Sequence, residues 1–167
     1  ASTGNGTGTH LAFAEFNHMA GLDMVHVPYK GGPDAIQAVL KGDVCCIFNQ
    51  VQTVLPHSRA GTVRLLGVTT AKRVAAIPDV PTIASVVPGF VEVTWWAILA
   101  PAGLPADIAR KLTTALQKIA GDPDFAKPMT DRGGVVAADG PDALRAAIQT
   151  ETEKAGKLIK DLGIKAE

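Results

Sequence analysis

Apolar and polar residues along the chain alternate between a helical and an extended spacing, and that alternation outlines an architecture. Leu11, Ala14, Glu15, His18 and Met19 recur at helical intervals, which predicts a helix over residues 9–20 stopped by Gly21. Residues 24–29 form a short β-branched and aromatic run that reads as a strand. Gly31-Gly32-Pro33 then breaks the chain. Pro33 suits the first helical position, and Ile36, Val39 and Leu40 give the next helix an apolar face ending at Gly42. Residues 44–48 read as a second strand, 51–59 as a helix, 64–70 as a third strand and 92–99 as a longer one carrying Trp95 and Trp96. Prolines 78, 81 and 88 bracket a short helix near Ile83. Strand and helix in alternation predict a parallel sheet with helical crossovers.

After Pro101 the pattern changes. Ile108, Leu112, Ala115, Leu116 and Ile119 define an amphipathic helix, and a shorter helix runs over 123–131. Residues 135–138 read as a strand, and Pro141 opens a long helix with Leu144, Ile148, Ala155, Leu158 and Leu162 on one side. One strand cannot build a sheet, so this portion is expected to pack against something else. No internal repeat is present.

Composition narrows the class. A chain of 167 residues is long enough for one domain, or for one domain and part of another. Lys+Arg and Asp+Glu both number 16, so no basic surface for nucleic acid or anionic lipid is expected. With 47% hydrophobic and 19% charged residues, the balance is globular and excludes intrinsic disorder. Cys45 and Cys46 are adjacent, which excludes a disulfide scaffold; read as strand neighbours, they are expected to point to opposite faces. No apolar run approaches about 18 residues, the length of a membrane span. The chain opens in a loop that enters a helix, without the basic and apolar regions of a secretory signal. That start predicts a segment removed upstream or a longer parent protein.

The densest chemistry lies in Gly4-Asn5-Gly6-Thr7-Gly8-Thr9-His10. Glycines let backbone approach a ligand closely, and the first amides of the following helix lack intrahelical partners. With the helix dipole, Asn5, Gly6, Thr7, Gly8, Thr9 and His10 make an anion site. The alternative is a flexible turn capped by water. Thr9 is a candidate cap, but Ala12 leaves no reciprocal capping box to occupy the remaining donors. The spacing G-x-G-x-G and the absence of a Walker lysine argue against a nucleotide. Two further strand-to-helix junctions, Tyr29-Lys30-Gly31-Gly32 and Phe48-Asn49-Gln50, would converge with the first at the carboxyl edge of a parallel sheet. Tyr29 offers a hydroxyl, Gly31 and Gly32 amides, and Asn49 a carboxamide. Each also has a plain structural role: Tyr29 in the core, the glycines in a turn, Asn49 as a helix cap.

Enzyme chemistry is not favoured. No serine sits in a nucleophile elbow, and His10 and His18 lie about 12 Å apart along a helix, too far to share a metal. His26 reads as a structural histidine, and one of Trp95 and Trp96 is expected in the core. No catalytic residue, metal or cofactor is expected. An enzyme would need a nucleophile such as Cys45 or Ser58.

The run Ala1-Ser2-Thr3-Gly4-Asn5-Gly6-Thr7-Gly8-Thr9-His10-Leu11, with Val25-His26-Val27-Pro28-Tyr29-Lys30-Gly31-Gly32, resembles the tripartite tricarboxylate transporter substrate-binding proteins, the TctC or Bug family. Leu55-Pro56-His57, the segments 64–73 and 77–82, and Leu99-Ala100-Pro101-Ala102-Gly103 extend the resemblance over essentially the whole chain. It implies a type II periplasmic-binding-protein-like α/β fold. Residues 1–100 would form the ligand-binding α/β domain, lacking its first strand, and 101–167 the mostly helical C-terminal part of a second domain. It also implies a periplasmic protein that binds a small organic carboxylate between two domains and delivers it to the membrane components of a tripartite tricarboxylate transporter. Gly6 to His10 and Tyr29 to Gly32 would supply the contacts. Where the family often has an acid, this chain has Asn49, which favours a plain carboxylate over an amino acid. A long amino-terminal segment of the family has no counterpart here. The competing expectation is a truncated assembly module that binds no ligand and dimerises through exposed helices.

Overall fold

The computed structural model describes residues 1–164. Its helices are α1 (Gly8–Met19), α2 (Gly32–Lys41), α3 (Val51–Arg59), α4 (Ala106–Ala120), α5 (Pro123–Asp131) and α6 (Pro141–Asp161), with a single 3-10 turn at Ile83–Ser85. Their ends follow the punctuation of the sequence. Pro33 lies in the first turn of α2, and Gly42 ends that helix in the left-handed conformation. Asp122 caps α5 by accepting from the Asp124 amide at 2.9 Å, and Pro141 opens α6. The start of α1 differs from expectation. Thr7, not Thr9, is the cap, because its extended backbone lets its hydroxyl accept from the His10 amide.

The extended segments are parallel, but their pairing is far shorter than predicted. Among the described residues the β pairing consists of two isolated parallel bridges, Ser2 with Pro28 and Val68 with Thr82. Ala1 and Ser2 lie in the middle of the first group. Ser2 N–H donates to Val27 O and Tyr29 N–H to Ser2 O on one side; the Ala1 amino group donates to Cys46 O and Phe48 N–H to Ala1 O on the other. The middle segment contributes two residues, so neither flank extends into a ladder. The spatial order is therefore 24–29, 1–2, 46–48, with α1 and α2 as the connections. Residues 92–99 and 135–138, predicted as strands, carry no ladder. Glu92 N–H reaches Thr69 O, and beyond it both tryptophans are exposed. The expectation that one of them packs in the core is corrected.

The core belongs to the first hundred residues. Phe13 and Phe16 of α1 meet Phe48 and the fully buried Phe90 at ring-centroid distances of 5.6 to 6.4 Å, partly edge-to-face. Ala35, Ile36 and Ala38 of α2, with Leu55 and Val68, complete it. The buried stripe of α1 is thus Thr9, His10, Ala12 and Phe13, while His18 and Met19, expected on the inner face, are exposed. Leu40 of α2 is exposed as well.

Helices α4, α5 and α6 contain no buried residue. The accessible surface of the chain is 11159 Å², against about 7,800 Å² for a compact monomer of this mass. The excess falls largely on this portion and on residues 93–99. Among the described residues it meets the rest at α6 and at the loop after α5. Helix α6 lies along α1, where Lys154 reaches Glu15, Glu92 and the Val91 carbonyl. Gly133, at φ 86°, sits so close to Val51 that a Cβ there would fall 2.4 Å from a valine methyl.

Candidate functional site

The glycine stretch is held by a cluster of three threonine hydroxyls. Thr9 Oγ1 lies 2.8 Å from Thr3 Oγ1 and 3.0 Å from Thr7 Oγ1, and it accepts the Thr3 amide at 3.0 Å. Thr7 in turn donates to Gly4 O at 2.7 Å. The hydroxyls are thus spent on fixing the loop. Its amides divide into two sets. Gly6 N–H donates to His10 Nδ1 at 3.1 Å, Thr7 N–H to Gly4 O, and His10 N–H to Thr7. Gly8 and Thr9, the first residues of α1, have no backbone hydrogen bond from their N–H groups among the described residues. Two donors at the positive end of a 12-residue helix remain for an anion.

A stacked imidazole pair supports the loop from below. The rings of His10 and His26 lie 3.9 Å apart and nearly parallel, and His26 Nε2 is 2.6 Å from the fully buried Ser2 hydroxyl. Burial lowers the His10 pKa. Burial and then the neighbouring His10 ring push His26 down to about 4. Both rings are neutral at pH 7, as His10 must be for Nδ1 to accept from Gly6.

The other predicted residues lie at the same ends of the adjacent segments. The Gly4 position is within van der Waals reach of Tyr29 O, and Tyr29 N–H is bonded to Ser2. Tyr29 and Lys30 line a hollow of about 450 Å³ with Pro28, Asp34, Gln37 and Lys41 on the flank of α2. Gly31 is the residue before α2, with Gly32 as its first residue. Asn49 Nδ2 donates to Gly32 O at 3.3 Å and its Oδ1 accepts from Gln50 N–H at 2.8 Å. That carboxamide ties the start of α2 to the start of α3, and the close approach favours glycine at 32, since a Cβ there would lie 3.0 Å from Asn49 Oδ1 and crowd it. Asn5 and Lys30 are exposed.

The three junctions therefore share one edge, where Gly8 is exposed and Thr9 is buried behind it. Thr94 was not anticipated. Its hydroxyl lies 3.3 Å from where a Cβ on Gly8 would be, so residues 92–96 pass over the start of α1. Nothing in the local spacing around Thr94 signals this, because the contact joins residues far apart in sequence.

A crossover of parallel segments and helices that presents main-chain donors at one edge is the arrangement of an α/β ligand-binding protein. The chain belongs to the tripartite tricarboxylate transporter family receptor group, TctC, whose profile matches residues 1–164. That is a family of binding proteins, not of enzymes. A protein encoded in the tcbD-tcbE intergenic region of Pseudomonas sp. strain P51 is 34% identical over 99% of this chain and 50% of its own length. Among solved structures, Rpa4515 of R. palustris with adipate superimposes with a TM-score of 0.87 at 29% identity, covering 95% of this chain and 54% of that one. The periplasmic binding protein BugD gives 0.86 at 28% identity, covering 99% of this chain and 57% of that one. The chain thus spans about half the length of the relatives it first matches, and its α/β class agrees with theirs despite the short pairing.

Proposed function

We propose that this chain forms part of a periplasmic solute-binding protein that takes up a small organic carboxylate and presents it to the membrane components of a tripartite tricarboxylate transporter. The observation that carries this reading is the pair of unpaired amides, Gly8 and Thr9, on a loop braced by the threonine cluster and a neutral His10. Such a site holds a carboxylate by fixed dipoles, with no need for a basic cluster. Adipate in Rpa4515 supports the ligand class. Gly6 to His10 form the anion-binding edge, Tyr29 to Gly32 the neighbouring wall, and Asn49 contributes its remaining N–H. Residues 1–100 belong to one lobe and 101–167 to a second, whose exposed apolar faces on α4 to α6 are covered by the amino-terminal half that the longer relatives carry.

Calorimetric titration with dicarboxylates, tricarboxylates and aromatic acids tests the reading, using the chain alone and joined to such an amino-terminal half. Heat with at least one dicarboxylate is expected; none with any acid for the joined protein would overturn it. Gly8→Pro removes one amide at a position where proline suits the helix, whereas Gly8→Ala keeps the amide and adds a methyl toward Thr94. Proline is expected to cost about 10-fold or more in affinity beyond alanine, the worth of a charge-assisted hydrogen bond. Equal affinities would remove that amide from the site.

A second reading rests on the absence of buried residues in α4, α5 and α6. These faces would pair two copies of the chain without ligand. Sedimentation separates the readings, since a monomer at all concentrations leaves no room for the assembly module.

A further inference from the structure

We propose that Cys45 and Cys46 form a vicinal dithiol clamp for thiophilic metalloid centres, of which a trivalent organoarsenical is the simplest. The pair lies between the end of α2 and the extended 46–48 segment, at the opposite end of that segment from Asn49. As strand neighbours their side chains would diverge, but the chain bends here, and the sulfurs stand 3.8 Å apart with Cys45 Sγ donating toward Cys46 Sγ. Both thiols are free; Cys45 is exposed and Cys46 half-buried.

Two sulfurs bonded at about 2.3 Å to one centre stand roughly 3.8 Å apart at a tetrahedral angle and somewhat closer at the narrower angle of a pyramidal trivalent centre, so a small side-chain rotation brings this pair to chelate spacing. No group of three or more His, Cys, Asp or Glu side chains suited to a metal occurs among the described residues. The donor set within reach is therefore the two sulfurs, which suits a centre that two sulfurs satisfy. A trivalent arsenic atom bearing one organic group is such a centre. With an arsenoxide, two As–S bonds form, two S–H bonds break, and both protons leave with the arsenic-bound oxygen as water. Arsenic stays trivalent, so no oxidant or reductant is required. Burial, reinforced by Cys45, raises the Cys46 pKa, so the exposed Cys45 makes the first bond and Cys46 closes the ring. The Cys46 carbonyl accepts a hydrogen bond from the Ala1 nitrogen at 2.7 Å, which reduces the freedom lost on closure.

The test is intact-mass spectrometry of the reduced chain with one equivalent of phenylarsine oxide. One arsenical per chain is expected, with both thiols lost to a thiol-titrating reagent. The adduct should survive excess monothiol and be released by a dithiol. Cys45→Ser and Cys46→Ser should each weaken retention about 100-fold or more, the gain an intramolecular second bond provides. Cys45 is exposed, so Cys45→Ser keeps the fold and carries the test if Cys46→Ser does not. The proposal is overturned if the unaltered chain releases the reagent to monothiol as readily as Cys45→Ser. It is equally overturned if one thiol stays titratable in the adduct, or if the arsenical bridges two chains.

Discussion

Helices α2 and α4 are both amphipathic, yet they end in opposite situations. Ala35, Ile36 and Ala38 of α2 are buried, whereas Ile108, Leu112, Leu116 and Ile119 of α4 are all exposed. The difference lies in their neighbours. Helix α2 has α3 to close on and borders Pro28 and Tyr29; α4 has α5 alone as a substantial helical contact. An apolar stripe records which face a helix is built to bury, and only a facing layer converts that face into stability.

The contrast breaks most directly at Phe90. Phe90→Ala should cost about 3–5 kcal/mol, since it empties the centre of the aromatic cluster. Urea unfolding would measure it; a cost below that of an α4 substitution would abolish the distinction between the two portions.

The junction of the portions is tested by pH. Burial pushes the Glu92 carboxyl up to about 7, with Glu15 reinforcing the shift and Lys154 opposing it. Lys154 lies above its ordinary value because these two carboxylates outweigh its own desolvation. Glu15 Oε2 is 3.3 Å from the ammonium but not aligned for a hydrogen bond. Folded Glu92 keeps a proton that the unfolded chain releases near 4.5, so its contribution is complete below 4.5 and lost as pH rises through 7. His26 acts in the reverse sense, its contribution being lost as pH falls from 6.5 to about 4. Glu92→Gln should therefore leave a stability that rises with pH across the acidic range in thermal melts. An unchanged pH profile would separate Glu92 from the junction.

A smaller effect is expected at Gly133. Gly133→Ala places a methyl against Val51 in a left-handed backbone and should cost about 1–3 kcal/mol by urea unfolding. No cost would mean that the two portions do not meet there in solution. Smallest of all, Leu112→Ser on α4 should change stability by no more than about 0.5 kcal/mol, because the side chain is exposed. A larger loss would mean that the face is covered.

Helices were legible in the sequence because their ends are local. Gly42, Pro33 and Pro141 act on their own backbone, and all three mark real boundaries. The strands were not, because a ladder belongs to two segments, and the segment between 24–29 and 46–48 supplies Ala1 and Ser2. The same distinction divides the site. The glycine stretch announced the amides of Gly8 and Thr9. The sharing of other amides with His10, the hub role of Thr9 and the overlying Thr94 all depend on contacts that no spacing rule carries. Cys45 and Cys46 were read as diverging strand neighbours, and a bend brought their sulfurs together.

The acceptance of the Gly6 N–H by His10 Nδ1 has a practical consequence. It confines the ring proton to Nε2, so the two imidazole nitrogens should give well-separated ¹⁵N resonances in a single tautomer. His10 is two residues from Gly8, and an acid docking at the helix start would register on that ring without any added label near the ligand. In the proposed binding mode the loop would carry its own spectroscopic reporter of occupancy.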